Sequence, residues 1–188
     1  VDEALAVGRA LLAGGIGAIE VTLRTDAALD AIAALARQVP QLKVGAGTVL
    51  DVAQLRRVQQ AGASFAVSPG SSAELLAGAV DLRIAYLPGV ATASEVMAAL
   101  AAGHCLLKVF PAEAINAPAL LSAWRGPFAQ ARFCPTGGID AARARDYLRL
   151  PNVACLGGSW LTPADALARR DWARVERLAR EATVLAAA

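Results

Sequence analysis

The sequence predicts an α/β fold of the (β/α)8 TIM-barrel type, on the strength of two regularities. Short apolar runs recur about every 20 to 26 residues along the 188-residue chain, and amphipathic helical patterns lie between them. Strands that alternate with helices at this spacing form right-handed βαβ units and a parallel sheet. No linker or low-complexity segment interrupts the pattern, so residues 1–188 are expected to form one domain.

Seven runs carry the strand pattern, each with Gly, Pro, Ser or Thr at or next to its end. They are Ala18–Arg24, Lys43–Val49, Phe65–Pro69, Ala85–Val90, Leu106–Ala112, Arg132–Gly138 and Val153–Ser159. A barrel of this type needs eight strands. The chain begins in an apparent helix, Asp2–Ala13, which in this scheme should follow a strand. The first strand is therefore expected to be absent from this sequence, and an open doubly wound sheet is the alternative fold.

Apolar residues at three- and four-residue spacing predict the helices. In Ala27–Gln38, the residues on one stripe are Leu29, Ile32, Leu35 and Ala36. Asp26 precedes this segment and is expected to cap it. Similar patterns predict helices at Asp51–Ala61, at Ala93–Ala102 with Ser94 or Thr92 as its cap, and at Asp171–Ala188 with Trp172, Val175, Leu178 and Ala179 on one stripe.

Composition argues against several classes of function. Lys plus Arg number 18 and Asp plus Glu 16, a balance that does not favour a nucleic-acid surface. No uninterrupted apolar stretch reaches the length of a membrane span, about 18 residues. No basic-then-apolar leader opens the chain. We therefore expect a cytoplasmic protein without a membrane or nucleic-acid partner.

The three cysteines, Cys105, Cys134 and Cys155, have no CxxC spacing, so the sequence predicts no zinc site and no other metal centre. Each lies in or beside an apolar run. We expect them to be small buried thiols in a reducing compartment.

Lysine is scarce in this chain, and one of its two lysines lies in an unusual place. Lys108 is in the middle of the apolar run Leu106–Phe110. Strand alternation places it on one face with Leu106 and Phe110, opposite Leu107 and Val109. A lysine inside a barrel loses hydration, which favours the neutral amine that attacks a carbonyl to form a Schiff base. An ordinary ion-paired or snorkelling lysine remains the alternative.

Glu20 is a second polar residue in an apolar strand. Ile19, Val21 and Leu23 occupy one face of that strand, and the other face presents Glu20 with Thr22 and Arg24. A carboxylate inside a barrel is costly unless it is paired or used. Glu20 is a candidate for proton transfer beside a lysine imine, and Arg24 for binding a substrate carboxylate. A structural Glu20–Arg24 salt bridge is the alternative.

Glycine-rich strand ends predict an anion site. Thr136-Gly137-Gly138 and Gly157-Gly158-Ser159 end the last two predicted strands, where TIM barrels commonly bind phosphate. Their backbone N–H groups and hydroxyls can surround a phosphate, although simple tight turns would use the same residues. In Gly45-Ala46-Gly47-Thr48 the glycines are expected to leave room for substrate, and Thr48 to present a hydroxyl at the catalytic face.

Together these motifs resemble the 2-keto-3-deoxy-6-phosphogluconate (KDPG) aldolase family. The likeness extends from about Ala13 to about Ala182 and is carried by Ile19–Thr25, Val44–Val49, Ser68–Gly70, Leu87–Gly89, Lys108–Glu113, Gly126–Phe128, Arg132–Ile139 and Gly157–Trp160. It implies cleavage of KDPG to pyruvate and D-glyceraldehyde 3-phosphate, the aldol step of the Entner–Doudoroff pathway. It further implies imine formation on Lys108 and acid–base catalysis by Glu20.

The resemblance also implies how the substrate is held. Arg24 and Thr48 would bind the pyruvate carboxylate, and Thr136 would contact the aldehyde hydroxyl. The remaining substrate-binding positions, including those for the phosphate, would be Gly137, Gly138, Gly158, Ser159, Phe110 and Pro88. Such enzymes need no metal or cofactor, are usually homotrimers, and often also accept 2-keto-4-hydroxyglutarate. The family's first strand, with a basic residue that helps to hold phosphate, has no counterpart in this sequence.

Three other functions remain open. One is the sister aldolase that acts on the galactonate epimer. The segments Phe133–Thr136 and Gly157–Trp160 favour the gluconate form instead. Another is a phosphosugar isomerase or synthase, which would not need Lys108 in its strand. The third is a non-catalytic phosphosugar-binding sensor, which would keep only the glycine loops.

Overall fold

Parallel strands and helices alternate along the chain in the computed structural model, which describes residues 1–187. The strands are β1 (Ala18–Thr22), β2 (Lys43–Gly47), β3 (Phe65–Val67), β4 (Ala85–Leu87), β5 (Gly89–Val90), β6 (Leu106–Val109) and β7 (Arg132–Pro135). The helices are α1 (Asp2–Ala13), α2 (Ala28–Gln38), α3 (Val52–Gln60), α4 (Ala73–Asp81), α5 (Ala93–Ala101), α6 (Ala117–Trp124), α7 (Ala141–Leu148), α8 (Ala164–Ala168) and α9 (Trp172–Ala187). Among residues 1–187, no helix is long and apolar enough to cross a membrane.

The strands pair in sequence order, all of them parallel. β1 to β4 form one ladder and β5 to β7 another. β4 and β5 are two parts of the predicted strand Ala85–Val90, which is interrupted at Pro88. Its first part pairs with β3 and its second part with β6, so this one segment joins the two ladders. The predicted α/β fold with a parallel, barrel-type sheet is confirmed.

The predicted seventh strand, Val153–Ser159, is not a regular strand. It joins β7 only through two parallel bridges, Phe133 to Val153 and Thr136 to Gly157. Between the bridges this segment has one residue more than β7, and the extra residue interrupts the ladder in the manner of a bulge. Within residues 1–187, β1 pairs with β2 alone and this segment with β7 alone, so the described strands do not close a barrel.

The core lies between the sheet and the helices. Val44, Leu107, Val109 and Phe133 project from the strands and are essentially inaccessible to solvent. They pack in one cluster with helical side chains such as Ile32, Leu35, Leu55 and Leu121. Each such side chain stabilises the fold by about 1.5–3 kcal/mol when fully buried. Because these side chains pack against the helices, the alternate residues of each strand point to the opposite, inner face of the sheet.

A second cluster joins the two ends of the described chain. Val175 and Ala179 on α9 pack against Ala10 and Leu11 on α1, with Ala166 of α8 between the same elements. Val175 and Ala179 were predicted to lie on the buried stripe of this helix, and they do. The last predicted helical residue, Ala188, lies outside the described residues.

The N-terminal cap of α2 differs from the predicted one, and at α5 the structure decides between the two predicted caps. α2 begins after Ala27 rather than at an Asp26 cap, because the Ala28 N–H donates to the Thr25 carbonyl (3.1 Å) and the chain enters the helix through a turn. At α5 the cap is Thr92, not Ser94. The Thr92 hydroxyl accepts from the Glu95 N–H, and the Glu95 carboxylate accepts in return from the Thr92 N–H, which is a capping box.

This capping box predicts a difference between two neighbouring substitutions. Thr92→Ala should lower the free energy of unfolding by about 1 kcal/mol, because a terminal N–H of α5 loses its acceptor. Ser94→Ala is the matched control and should change it by less than about 0.5 kcal/mol. Urea denaturation followed by circular dichroism measures both. Equal effects of the two substitutions would contradict the assigned cap.

Candidate active site

The side chain of Lys108 lies on the inner face of β6. Its strand neighbours Leu107 and Val109 face the helices and are 0% exposed, as the alternation predicted. Lys108 itself is only 7% exposed and is paired in register with Gly89 on one side and with Cys134 on the other. A Cβ at Gly89 would overlap the backbone of Pro69, so this glycine lets the loop after β3 pack against the strand beside Lys108. The Lys108 side chain therefore lies buried on the inner face of the sheet and not at an exposed strand end.

The partner of the Lys108 amine is Glu20. The Nζ atom of Lys108 lies 3.5 Å from Oε1 of Glu20 on β1, and 5.3 Å from the ring centroid of Phe110. The first distance is that of an ion pair and the second that of a cation–π contact. The same arrangement lets Glu20 accept the ammonium proton and leave a neutral, nucleophilic amine. The alternative salt bridge from Glu20 to Arg24 is not formed. The Arg24 Nε donates instead to the Thr22 hydroxyl at 3.1 Å.

The glycines of β2 have a role different from the predicted one. A Cβ added at Gly47 would overlap the carboxylate of Glu20, and one at Gly45 would overlap the ring of Phe65. The space above these glycines is thus filled by protein side chains and is not left open for substrate. Gly47 matters to the site because its missing side chain lets the Glu20 carboxylate lie against the neighbouring strand and reach Lys108.

Thr48 follows β2 in an uncommon backbone conformation. Its φ is +60°, in the left-handed region that β-branched residues rarely adopt. The backbone on either side is fixed, since the Leu23 N–H donates to the Gly47 carbonyl and the Val49 N–H to the Val67 carbonyl. Strain of this kind costs about 1–3 kcal/mol and is concentrated at functional sites. The half-buried Thr48 is thus held at the carboxyl end of the sheet.

The two glycine-rich loops lie side by side. Thr136 forms a parallel bridge with Gly157, and a Cβ at Gly157 would overlap the Thr136 hydroxyl. Gly137 and Gly138 both have positive φ, +105° and +78°, so other residues would be strained there. A Cβ at Gly158 would overlap the ring of Trp160, which packs beneath that loop. The sequence prediction that these loops are neighbours is confirmed.

Phe110 and Pro88 connect the lysine to its surroundings. The Pro88 carbonyl accepts a hydrogen bond of 2.9 Å from the Lys108 N–H. The Phe110 ring lies near the Lys108 amine and also within 3.2 Å of a Cβ placed at Gly137. Phe110 therefore lies between the amine and the Thr136–Gly138 loop. Ser159 is exposed beyond the second loop, where its carbonyl accepts from the Thr162 N–H at 3.1 Å.

The cysteines depart from their expected burial. Cys134 is buried, but Cys105 and Cys155 are exposed, because Cys105 precedes β6 and Cys155 lies in the interrupted segment beside β7. The thiols of Cys134 and Cys155 influence each other. The neighbouring thiol of Cys134 lowers the pKa of Cys155 to about 7, and the proximity of Cys155 together with burial raises the pKa of Cys134. Sequence spacing did not reveal this pair, since it depends on the register between β7 and the segment after it.

No group of three or more His, Cys, Asp or Glu side chains that could hold a metal ion occurs within residues 1–187. The groups shown beside the Lys108 amine are the carboxylate of Glu20 and the aromatic ring of Phe110. Such a set suits imine chemistry, in which an amine and one acid–base group act on a carbonyl.

Residues 1–178 match the sequence profile of the KDPG and KHG aldolases. The chain belongs to this aldolase family. It is 52% identical over 181 residues to the KHG/KDPG aldolase of Escherichia coli K12, an alignment that covers 96% of this chain and 85% of the relative.

Two solved structures of the family superpose closely on the chain. One is the KDPG aldolase of Legionella pneumophila with pyruvate captured at low pH as a covalent carbinolamine intermediate. Its TM-score is 0.93 at 44% identity, over 95% of this chain and 87% of that one. The other is the KDPG aldolase of Zymomonas mobilis with 3-phosphoglycerate. Its TM-score is also 0.93, at 45% identity, over 98% of this chain and 86% of that one.

Proposed function

We propose that the chain is a class I aldolase that forms a Schiff base on Lys108 and cleaves KDPG to pyruvate and D-glyceraldehyde 3-phosphate. The observation that carries the proposal is the buried Lys108 amine with the Glu20 carboxylate at 3.5 Å. The names of the relatives agree with this activity. The unphosphorylated 4-hydroxy-2-oxoglutarate, the KHG of the family name, is proposed as a further substrate of the same site.

In the first step Glu20 takes a proton from the Lys108 ammonium, and the neutral amine attacks the C2 carbonyl of the substrate. The resulting carbinolamine loses water to give the protonated imine. The pyruvate carbinolamine captured in the Legionella relative is the corresponding intermediate of that enzyme. Glu20 lies 3.5 Å from the amine, and the departing hydroxyl is on the carbon bonded to that amine, so one carboxyl group is proposed to serve both proton transfers.

In the second step a base removes the proton of the C4 hydroxyl, and the C3–C4 bond breaks. Its electron pair moves into the protonated imine and gives an enamine, while C4 leaves as the aldehyde. Glu20 is the proposed base, directly or through one water. Protonation of the enamine at C3 and addition of water to the imine then release pyruvate and return Lys108 to its starting state.

The rest of the site orients the two ends of the substrate. Arg24 and Thr48 are proposed to hold the carboxylate beside the imine, and Thr136 to contact the hydroxyl on the aldehyde side. The backbone of Gly137, Gly138 and Gly158, with the Ser159 hydroxyl, is proposed to hold the phosphate, while Pro88 and Phe110 line the space between. Phosphate binding far from the reacting bond can be used to align that bond. The 3-phosphoglycerate in the Zymomonas relative, a three-carbon phosphate, is consistent with this arrangement.

Two of the other functions considered above would not use this geometry. A phosphosugar isomerase or synthase does not need a lysine inside β6, and a sensor does not need a carboxylate beside it. The aldolases for the two epimeric substrates share the imine step. Their substrates differ at C4, where Thr136 is proposed to act. Assay of both epimers with the unmodified protein separates them.

Assembly and location complete the proposal. We propose a homotrimer located in the cytoplasm, acting as one domain on a small phosphorylated keto acid, without a nucleic-acid partner. Leu50, Val80 and Met97 are 55–62% exposed, and apolar side chains of this kind could be covered by another subunit in the proposed trimer. The free thiols suit a reducing compartment.

Lys108→Ala should abolish reductive trapping and lower kcat/KM for KDPG at least about a thousandfold, because Lys108 supplies the amine of the proposed imine. Borohydride treatment with pyruvate followed by peptide mapping measures the trapping. Lys43→Ala removes the only other lysine, which is exposed at the start of β2, and should trap normally. A normal mass increase on the Lys108→Ala protein would refute the assignment.

Glu20→Gln should still form the imine, though more slowly, and should exchange the methyl protons of pyruvate about 10² to 10⁴ times more slowly. Amine attack needs Lys108 itself, whereas enamine formation needs a base. Proton exchange in heavy water, followed by NMR, measures the effect. Gly47→Ala should act in the same direction by displacing the carboxylate, and Gly70→Ala is its control, since a Cβ there meets nothing within 4 Å. Unchanged exchange in Glu20→Gln would make that residue structural.

Ser159→Asp should raise KM for KDPG about tenfold or more and affect proton exchange into pyruvate much less. A carboxylate beside the phosphate adds like-charge repulsion to the loss of a hydroxyl donor. Ser122→Asp places the same charge on an exposed position of α6 and should leave both assays unchanged. Equal losses in the two assays for Ser159→Asp would mean that the loop supports the fold generally and does not bind phosphate.

A further inference from the structure

Glu113 lies in the loop between β6 and α6, five residues after Lys108, and its side chain is 18% exposed. The proton transfers described above do not use it. Its backbone N–H donates to the Gly137 carbonyl (3.1 Å), and the preceding Ala112 N–H donates to the Thr136 carbonyl (2.8 Å). Two successive N–H groups of this loop therefore fix the backbone at the start of the first glycine-rich loop.

The side chain of Glu113 also packs against this loop. A Cβ at Gly138 would lie 2.9 Å from both Cβ and Cγ of Glu113, so the stem of the glutamate fills the place where a side chain at Gly138 would be. Gly137 and Gly138 have positive φ, and a free glycine pair has many other conformations available. The contact with the Glu113 side chain and the hydrogen bonds from the Ala112 and Glu113 N–H groups exclude those other conformations.

The carboxylate of Glu113 is tied to α7, the helix that follows the loop. Oε1 accepts a hydrogen bond of 2.7 Å from the Tyr147 hydroxyl, and Oε2 is ion-paired with Arg143. These partners are four residues apart and so lie on one face of α7. Burial raises the pKa of Tyr147, which keeps the phenol protonated and able to donate. The Arg143 guanidinium compensates the charge of Glu113, which lessens its repulsion of a phosphate held nearby.

We infer that Glu113, held by Tyr147 and Arg143, is a positioning residue that fixes the Gly137–Gly138 loop in the conformation required to bind the substrate phosphate. This inference rests on the proposed function, because the phosphate site is part of it. Glu113 touches neither the reacting atoms nor the phosphate. It acts through the loop, by lowering the conformational entropy that phosphate binding would otherwise have to remove.

The kinetic test compares substrates with and without the phosphate. Glu113→Ala should raise KM for KDPG about tenfold, a loss of about 1.4 kcal/mol in binding. It should change proton exchange into pyruvate far less. Glu113→Gln keeps an oxygen for Tyr147 but loses the charge, and Tyr147→Phe keeps the ion pair but loses the donor; each should raise KM by less than Glu113→Ala. Asp146→Ala is the matched control, because Asp146 is an exposed residue of α7 paired only loosely with Arg149, at 3.9 Å.

The inference is overturned if KM for KDPG is unchanged in Glu113→Ala, if pyruvate exchange falls in parallel with it, or if Asp146→Ala has the same effect. Should Glu113→Ala fail to fold, Glu113→Gln and Tyr147→Phe decide by the same two assays.

A second measurement separates this inference from the proposed function. Hydrogen–deuterium exchange of the backbone at residues 136–140 should be faster in Tyr147→Phe and Glu113→Gln than in the unmodified protein and in Asp146→Ala. Unchanged exchange overturns the role of Glu113 even if the protein is an active aldolase. If the unmodified protein traps no pyruvate, the proposed function fails, and faster exchange in the two variants would still support the contact between Glu113 and the loop.

Discussion

The site depends on one electrostatic constraint, the presence of an amine in the interior of the sheet. An ammonium ion removed from water costs several kcal/mol unless a partner compensates it. Here the partner is Glu20, which comes from β1 while Lys108 comes from β6. The contact is possible only because Gly47 carries no side chain on the strand between Glu20 and the rest of the sheet. The same pairing that makes the buried lysine tolerable also supplies the group that can remove its proton, so the stability of the site and its chemistry have one source.

Parallel strands bring their carboxyl ends to the same edge of a sheet, and this geometry collects the remaining residues. Thr48 follows β2, Phe110 follows β6 and Thr136 follows β7. These three residues are far apart in sequence, and the repeat of strand and helix brings them to the same edge of the sheet. The hydrophobic layer of Val44, Leu107, Val109 and Phe133 holds the strands in place. The alternate positions of the same strands are then free to carry polar groups, so the core and the site are two faces of one sheet.

Strand alternation was sufficient to predict which residues face inward, and this explains why Lys108 and Glu20 could be identified as candidates. It does not give the neighbours across the sheet. For Glu20 the sequence left open a local partner, Arg24, and a distant one, Lys108, because a choice between them requires the positions of both strands. The glycines of β2 were misread for the same reason, since the side chains above them, Glu20 and Phe65, come from other strands. Asp26 failed as a cap because a turn at Thr25 satisfies the first N–H of α2 without it.

The segment after β6 links the two ends of the site. Phe110 lies against the Lys108 amine on one side and the Gly137 backbone on the other, and Glu113 holds that backbone and ties it to α7. The distance from the lysine to the glycine loop is therefore set within one short stretch of chain rather than by the packing of the whole domain. In the proposed complex with KDPG, a fixed span between the imine carbon and the phosphate would determine which bond lies beside the Glu20 carboxylate. A short, locally fixed connection of this kind matters for the phosphorylated substrate proposed above, because a small displacement of the loop would move the C3–C4 bond away from the acid–base group.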